Sequence, residues 1–234
     1  TIPFSTNSYR SIPLSCGNAA CQEATLKIAV IGAGNAQFSA GLIDDLCRTE
    51  SLAGSRVVLM DIVQERAELV VRLGTRFAGE LGVDFAFEAT ADRSAALEGA
   101  DFVVNTAFVQ GHHQEWAMRE VTARHGHYCG GVGLGSWYQL RLMLDVARDT
   151  ERLCPDAWLI QSANPVFEGC TLMTGETNVT VCGLCHGHHG YAEIAETIGT
   201  DLDRVTWPAQ GLNHNIWLTH FLYDGQDAYP LIGG

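Results

Sequence analysis

Basic side chains are scarce in this chain. Its 14 Lys and Arg stand against 27 Asp and Glu, a formal net charge of −13 at pH 7, which excludes a nucleic-acid binder working through a basic face. Charged residues of both signs make up only 18% against 47% hydrophobic residues. That balance excludes disorder over most of the chain and supplies one sizeable core or two small ones. No uninterrupted apolar run approaches the roughly 18 residues that a membrane helix needs. The opening TIPFSTNSYR lacks the charged start and apolar stretch of a secretory signal. A soluble, cytoplasmic protein with neither a membrane nor a nucleic acid as partner is therefore expected. Internal repeats and low-complexity tracts are also missing.

Glycine, by contrast, is plentiful. The 25 glycines, about 11% where roughly 7% is usual, are spread through strand-turn-helix patterns, as in a backbone that approaches a ligand closely. Eight cysteines stand at 16, 21, 47, 129, 154, 170, 182 and 185. In a chain of this size with no secretory segment they do not read as a disulfide framework. Buried thiols plus one or two metal or redox cysteines fit better.

Residues 1–24 are polar, show no usable period and read as an extension of unknown role. From Leu26 short apolar runs alternate with amphipathic stretches: LKIAVIG, 36–49, RVVLMD, 63–81, VDFAFE, DFVVNTA and WLIQSANP. Over 63–81, Ala67, Val70, Val71, Gly74, Phe77, Ala78 and Leu81 recur at helical spacing and line one face. Trp137, Leu140, Leu144 and Ala147 do the same for a later helix. Runs such as VVLM and FVVN are apolar without alternation, as expected of strands covered by helices on both sides. The fold class is α/β, a doubly wound parallel sheet of Rossmann-like type over 25–204. Residues 205–234 turn aromatic and strand-like, with Asp224-Gly225 marking a hairpin, and read as the start of a second α+β domain.

The first strand runs into Gly32-Ala33-Gly34-Asn35-Ala36-Gln37 and then a helix. Glycines there let a tight turn bring backbone N–H groups and a helix N-terminus against a pyrophosphate. The usual third glycine is Gln37. Asp61 closes the second strand 27 residues after Gly34, close to where an acidic side chain accepts from an adenosine ribose. Together they predict an NAD site. The alternative is that the glycines only make a turn and Asp61 only caps the next helix. Asn105 and Asn164, the latter locked before Pro165, end later strands, where ligands of such sheets bind; for Asn105 the competing reading is an amide that satisfies its own loop.

Cys182-Gly183-Leu184-Cys185-His186 spells C-x-x-C-H, the pattern of c-type haem attachment. Its place in a strand and the missing export signal argue against haem, and against a redox pair, which normally opens a helix. A further reading pairs Cys185 with His214 as ligands of a divalent metal that also takes oxygen donors; the competing one is a buried thiol.

Taken in order, KIAVIGAGNAQFS, VVLMDI, DFVVNTA, IQSANPVFEG, GLCHGHHG and GLNHNIWLTHF resemble glycoside hydrolase family 4, the NAD- and metal-dependent glycosidases, an exception to two-carboxylate hydrolysis. The resemblance runs from Leu26 to Ile232. It implies a redox-assisted elimination: hydride leaves C3 of the sugar for NAD, the ketone acidifies the C2 proton, and the glycosidic oxygen departs. Water then adds and the hydride returns. By matching position Cys185 and His214 would hold the metal, usually manganese, Asn164 would contact sugar and metal, and His186 occupies the specificity and acid position. Cys185-His186-Gly187-His188 looks most like the branch acting on α-glucuronides and α-galacturonides, whereas His188 and His189 also suit a solvated helix start. The implied partner is a small glycoside, and the implied state a homo-oligomer. Family members are longer, drawing their base, a Tyr or Asp, from a C-terminal half that this chain lacks. Between Tyr128 and Trp137 they carry a longer polar segment where this chain has CGGVGLGS. Catalysis by this chain alone is not expected. An oxidoreductase that releases NADH and a non-catalytic nucleotide binder are the rival readings.

Overall fold

The four inner strands form from apolar runs covered on both sides, and two half-exposed strands flank them. In a computed structural model, which describes residues 25–109, 112–127, 136–185, 190–212 and 215–232, the six are β1 (Lys27–Ile31), β2 (Arg56–Met60), β3 (Ala86–Thr90), β4 (Phe102–Asn105), β5 (Trp158–Gln161) and β6 (Thr180–Gly183). All pair in parallel, in the order β3-β2-β1-β4-β5-β6. The helices are α1 (Ala36–Arg48), α2 (Gln64–Leu81), α3 (Arg93–Leu97), α4 (His112–Arg124), α5 (Trp137–Leu153), α6 (Val166–Glu176) and α7 (Gly190–Thr197).

Successive side chains of a strand point to opposite faces, and here both faces are apolar. Ile28 and Val30 of β1 join Val57, Leu59 and Val104 in one core, closed by Ile43 and Leu46 of α1 and Val70 and Ala78 of α2. Ala29 and Ile31 join Val58, Met60, Val103 and Leu159 in the other, closed by Leu97, Met143, Val146 and Met173. Each fully buried aliphatic side chain contributes about 1.5–3 kcal/mol, so both layers are held. Among the described residues no helix is long and apolar enough to cross a membrane.

The α2 face forms as its period predicts, over Ala67, Val70, Gly74 and Ala78. Leu81 departs from it, being exposed in the terminal turn. Helix α5 differs more. Its buried residues are Gln139, Met143, Val146, Ala147 and Thr150, while Trp137 is 59% exposed. At about 100° per residue this face is turned by roughly a quarter turn from the one read from Trp137, Leu140, Leu144 and Ala147, of which Ala147 is buried as read. Counting apolar residues misplaced it because two polar side chains are buried with their hydrogen bonds made: Thr150 Oγ1 donates to Val146 O at 2.9 Å, and Gln139 clamps a loop described below.

A half-buried ion pair ties α3 to α5. Arg93 Nε and Nη2 donate to Asp149 Oδ2 at 2.8 and 2.5 Å, and Arg152 Nη2 donates to Oδ1 at 3.0 Å. Burial pushes the Asp149 carboxyl up, but the hydrogen bonds and charges of Arg152 and Arg93 outweigh it and hold the group below the usual range. A depressed carboxyl contributes stability that is present above its unfolded pKa and lost as pH falls through the folded one. The stability lead of the wild type over Asp149→Asn should thus stay constant above about pH 4 and shrink below it. Urea unfolding at a series of pH values checks this, and a lead that grows on acidification would reverse the assignment.

The remaining chain builds its own small core. β7 (Val205–Thr206), β10 (Leu222–Tyr223) and β11 (Gln226–Asp227) form an antiparallel sheet with β10 central, and β8 (Ala209–Leu212) pairs with β9 (Asn215–Leu218). The Asp224-Gly225 hairpin forms with φ of 50° and 77°, the positive pair that a two-residue type I′ turn demands. Phe221 is fully buried with Ala195 and Ala228, against Tyr191, Ile194 and Ile198. The Tyr191 and Trp207 rings stack with centroids 3.9 Å apart. Helix α7 therefore shares its apolar contacts with residues beyond 204, although the sequence reading placed it in the first domain.

Candidate functional site

In the order β3-β2-β1-β4-β5-β6 the chain reverses direction of travel between β1 and β4. The carboxyl ends of those strands meet at this switch point, the place where such sheets take ligands. The glycine turn lies there. Gly32, at φ +90°, and Ala33 both donate to Met60 O at 2.9 Å. A Cβ on Gly32 would collide with the backbone of Ala107, and one on Gly34 would land on the Asp61 carboxylate. Gly32 is thus required by close backbone approach, whereas at Gly34 the neighbour is a side chain.

Helix α1 starts at once. Asn35 is its N-cap, its Oδ1 accepting from Phe38 N at 3.3 Å, and Ser39 Oγ donates to Ala33 O at 2.7 Å. Helix geometry leaves the N–H groups of Ala36 and Gln37 without intrahelical partners, so an anion placed there meets donors and the positive end of the helix dipole. Asp61 is half-buried and braced. Its Oδ2 accepts from Gly34 N at 2.8 Å and its Oδ1 from Val63 N at 2.9 Å. One bond to each oxygen leaves each a further lone pair for a ribose hydroxyl. Asp61 therefore ties down Val63, the N-cap of α2, without capping the helix itself.

Asn105 faces the interior. Its side chain is fully buried, with Nδ2 donating to Gln161 Oε1 at 2.8 Å and Oδ1 accepting from Ala107 N at 3.3 Å. This corrects the expectation that it touches the cofactor: an amide inside an apolar sheet must find both partners within the protein. Thr106 is the neighbour on the turn, its hydroxyl donating at 3.1 Å to Ile31 O and Gly32 O.

Two residues that sequence reasoning passed over shape this edge. Gln139, 5% exposed, donates from Nε2 to Ala107 O at 2.7 Å and accepts at Oε1 from Val109 N at 2.9 Å, clamping the loop after β4. Gln161, fully buried, donates to Ala163 O at 2.7 Å. The only sequence signal for either was a glutamine inside an apolar stretch, WYQLRLML and WLIQ.

Asn164 lies half-buried between β5 and α6, joined to Pro165 by a cis peptide. Cys185, a half-buried free thiol, follows β6 by two residues on the same edge, where Leu184 N donates to Gln161 O at 2.9 Å. Cys182 lies within β6. Burial, with Cys182 nearby, pushes the neighbouring Cys170 thiol up, which disfavours thiolate chemistry there. His186, His188, His189 and His214 fall outside the described residues. Among the described residues, no group of three His, Cys, Asp or Glu side chains is placed to hold a metal.

Residues 27–200 match the model of the Family 4 glycosyl hydrolases. The chain is 31% identical over 216 residues to an α-glucosidase of Erwinia rhapontici, covering 87% of this chain and 48% of that protein. It is 29% identical over 215 residues to an α-galactosidase of Bacillus subtilis (strain 168), covering 88% and 50%. A solved 6-phospho-α-glucosidase from gut microorganisms, in complex with NAD and Mn2+, shares the fold with a TM-score of 0.76 at 20% identity, over 89% of this chain and 50% of that one. The chain spans about half the length of the curated relatives it matches.

Proposed function

Because the chain belongs to the family 4 glycosyl hydrolases, we propose that it carries the nucleotide-binding part of an enzyme that cleaves O-glycosidic bonds of an α-glycoside with the aid of NAD and a divalent metal. The observation that supports this best is the convergence on one sheet edge of the glycine turn, Asp61, Asn164 and Cys185. The turn fits a dinucleotide, since it leaves the Ala36 and Gln37 N–H groups at the start of α1 for an anion and a lone pair on each Asp61 oxygen for a ribose hydroxyl. A thiolate with an imidazole suits Mn2+ or a related ion that keeps positions open for oxygen ligands.

When bound, NAD supplies a hydride acceptor and the metal a Lewis acid at a sugar oxygen. The chain's own residues do the rest. The first-turn N–H groups of α1 hold the pyrophosphate, and Asp61 accepts from the ribose hydroxyls. Asn164 orients the sugar, Cys185 and His214 hold the metal, and His186 gives a proton to the leaving oxygen. The named relatives, an α-glucosidase and an α-galactosidase, favour neutral α-hexosides as first substrates; α-glucuronides and α-galacturonides are the comparison set that Cys185-His186 suggests.

The chemistry is tested with p-nitrophenyl α-glucoside, α-galactoside, α-galacturonide and α-glucuronide, supplied with NAD+, Mn2+ and a reductant that protects the Cys185 thiol. A form of the protein extended to the length of its relatives is run in D2O beside the 234-residue chain. The expected result for the extended form is cleavage that needs NAD+ without consuming it, with deuterium at C2 of the product. Cleavage without NAD+, or product with protium at C2, would refute the mechanism, and net accumulation of NADH would assign a dehydrogenase instead.

The cofactor is tested on the chain itself. A 2′-phosphate beside the Asp61 carboxylate is repelled by about 1–4 kcal/mol at roughly 4 Å. The wild type should therefore bind NAD about tenfold or more tightly than NADP. Asp61→Asn narrows that gap while keeping an acceptor for a backbone N–H, which Asp61→Ala would not. Calorimetric titration reads both, and equal wild-type affinities would end the ribose assignment.

A further inference from the structure

Two fully buried amides connect the loop that packs on the glycine turn with the loop that carries Asn164. Ala107 N donates to Asn105 Oδ1 at 3.3 Å, Asn105 Nδ2 to Gln161 Oε1 at 2.8 Å, and Gln161 Nε2 to Ala163 O at 2.7 Å. All three bonds run in one direction. Turning either amide over would set oxygen against oxygen or nitrogen against nitrogen, so each amide fixes the orientation of the other. At one end Ala107 fills the space that a side chain on Gly32 would need. At the other, Ser162 N and Ala163 N donate to Asn105 O at 3.0 and 3.1 Å, just before Asn164.

We propose that Gln161 is a positioning residue for dinucleotide binding, acting through Asn105 on the Ala107 backbone that shapes the Gly32 turn. The inference rests on the reading of that turn as the NAD site. Gln161 has no exposed surface, so it touches no ligand. Removing its amide leaves Asn105 Nδ2 buried and unpaired, a costly state. Asn105 then reorients, and Ala107 N loses its acceptor beside the turn.

The test compares wild type, Gln161→Leu, Gln161→Glu, Asn105→Leu and the double leucine variant by calorimetric NAD titration and thermal melting, with amide hydrogen exchange at Ala107 measured without ligand. Gln161→Leu should weaken NAD binding about tenfold and speed exchange at Ala107, and the double variant should bind no worse than Asn105→Leu alone, as expected of coupled neighbours. Gln161→Glu keeps an acceptor towards Asn105 and should stay within about threefold of the wild type in affinity. It should nevertheless melt below Gln161→Leu, because a buried carboxyl costs more than a buried leucine. A purely structural role predicts the other order, with affinity following melting temperature. That order, additive single variants, or unchanged exchange at Ala107 in Gln161→Leu would overturn the proposal while wild-type binding of NAD leaves the dinucleotide reading intact. A wild type that does not bind NAD would overturn both.

Discussion

Gly32→Ala should lower the melting temperature of this protein by roughly 5–15 °C and abolish dinucleotide binding. Two costs add. The residue sits at φ +90°, where an L side chain is strained by about 1–2 kcal/mol, and its Cβ would meet the backbone of Ala107, an overpacking worth about 1–3 kcal/mol. Ala107 has little room to retreat. Its N–H is held by Asn105, its carbonyl by Gln139, and the preceding Thr106 hydroxyl by Gly32 O. Gly34→Ala provides the contrast. There the added Cβ meets the carboxylate of Asp61, which can turn aside, so stability should change little while the Gly34 N bond to Asp61 and the ribose acceptor are lost. Melting curves and NAD titrations on both variants decide the matter. A Gly32→Ala protein that melts with the wild type would mean that the loop after β4 does not press on the turn.

Phe221→Ala should open the tail without unfolding the parallel sheet. Phenylalanine deletions in cores cost about 3–5 kcal/mol, and here the cluster is small: Phe221, Ala195 and Ala228 are its fully buried members. Among the described residues, the two cores around the parallel sheet contain none beyond Val181, so the loss is confined to the elements that share Phe221, and local opening is the expected response. Hydrogen exchange should accelerate through 190–232 and stay slow in β1, β2 and β4, with NAD affinity near that of the wild type. Protection lost everywhere at once would show that the tail and the sheet form one cooperative unit.

The family matched over residues 27–200 was legible because its motifs are runs of consecutive residues. KIAVIGAGN and VVLMD state a strand, a tight turn and an acidic strand end without reference to anything distant. The Asp224-Gly225 turn was legible for the same reason, since the two residues supply the required positive φ by themselves. Gln139 and Gln161 were not, because a polar side chain in an apolar stretch is interpretable only when its partners are known. For Gln139 these are Ala107 and Val109, and for Gln161 one is Asn105, 56 residues away.

By itself, then, the sequence determined the parallel α/β class, the positions of the six parallel strands and of α1, α2 and α5, the glycine turn and the pairing of that turn with Asp61. Hydrophobic period, glycine and turn chemistry are local properties of the chain and act before any tertiary contact forms. Tertiary structure alone decided which face α5 buries, that Asn105 turns inward to Gln161 in place of the cofactor, that Asp61 braces two backbone N–H groups, and that α7 packs with the residues after 204. Each of those outcomes depends on how a buried hydrogen-bonding group or an apolar face finds a partner far along the chain, and the cost of leaving it without one is set by the assembled core.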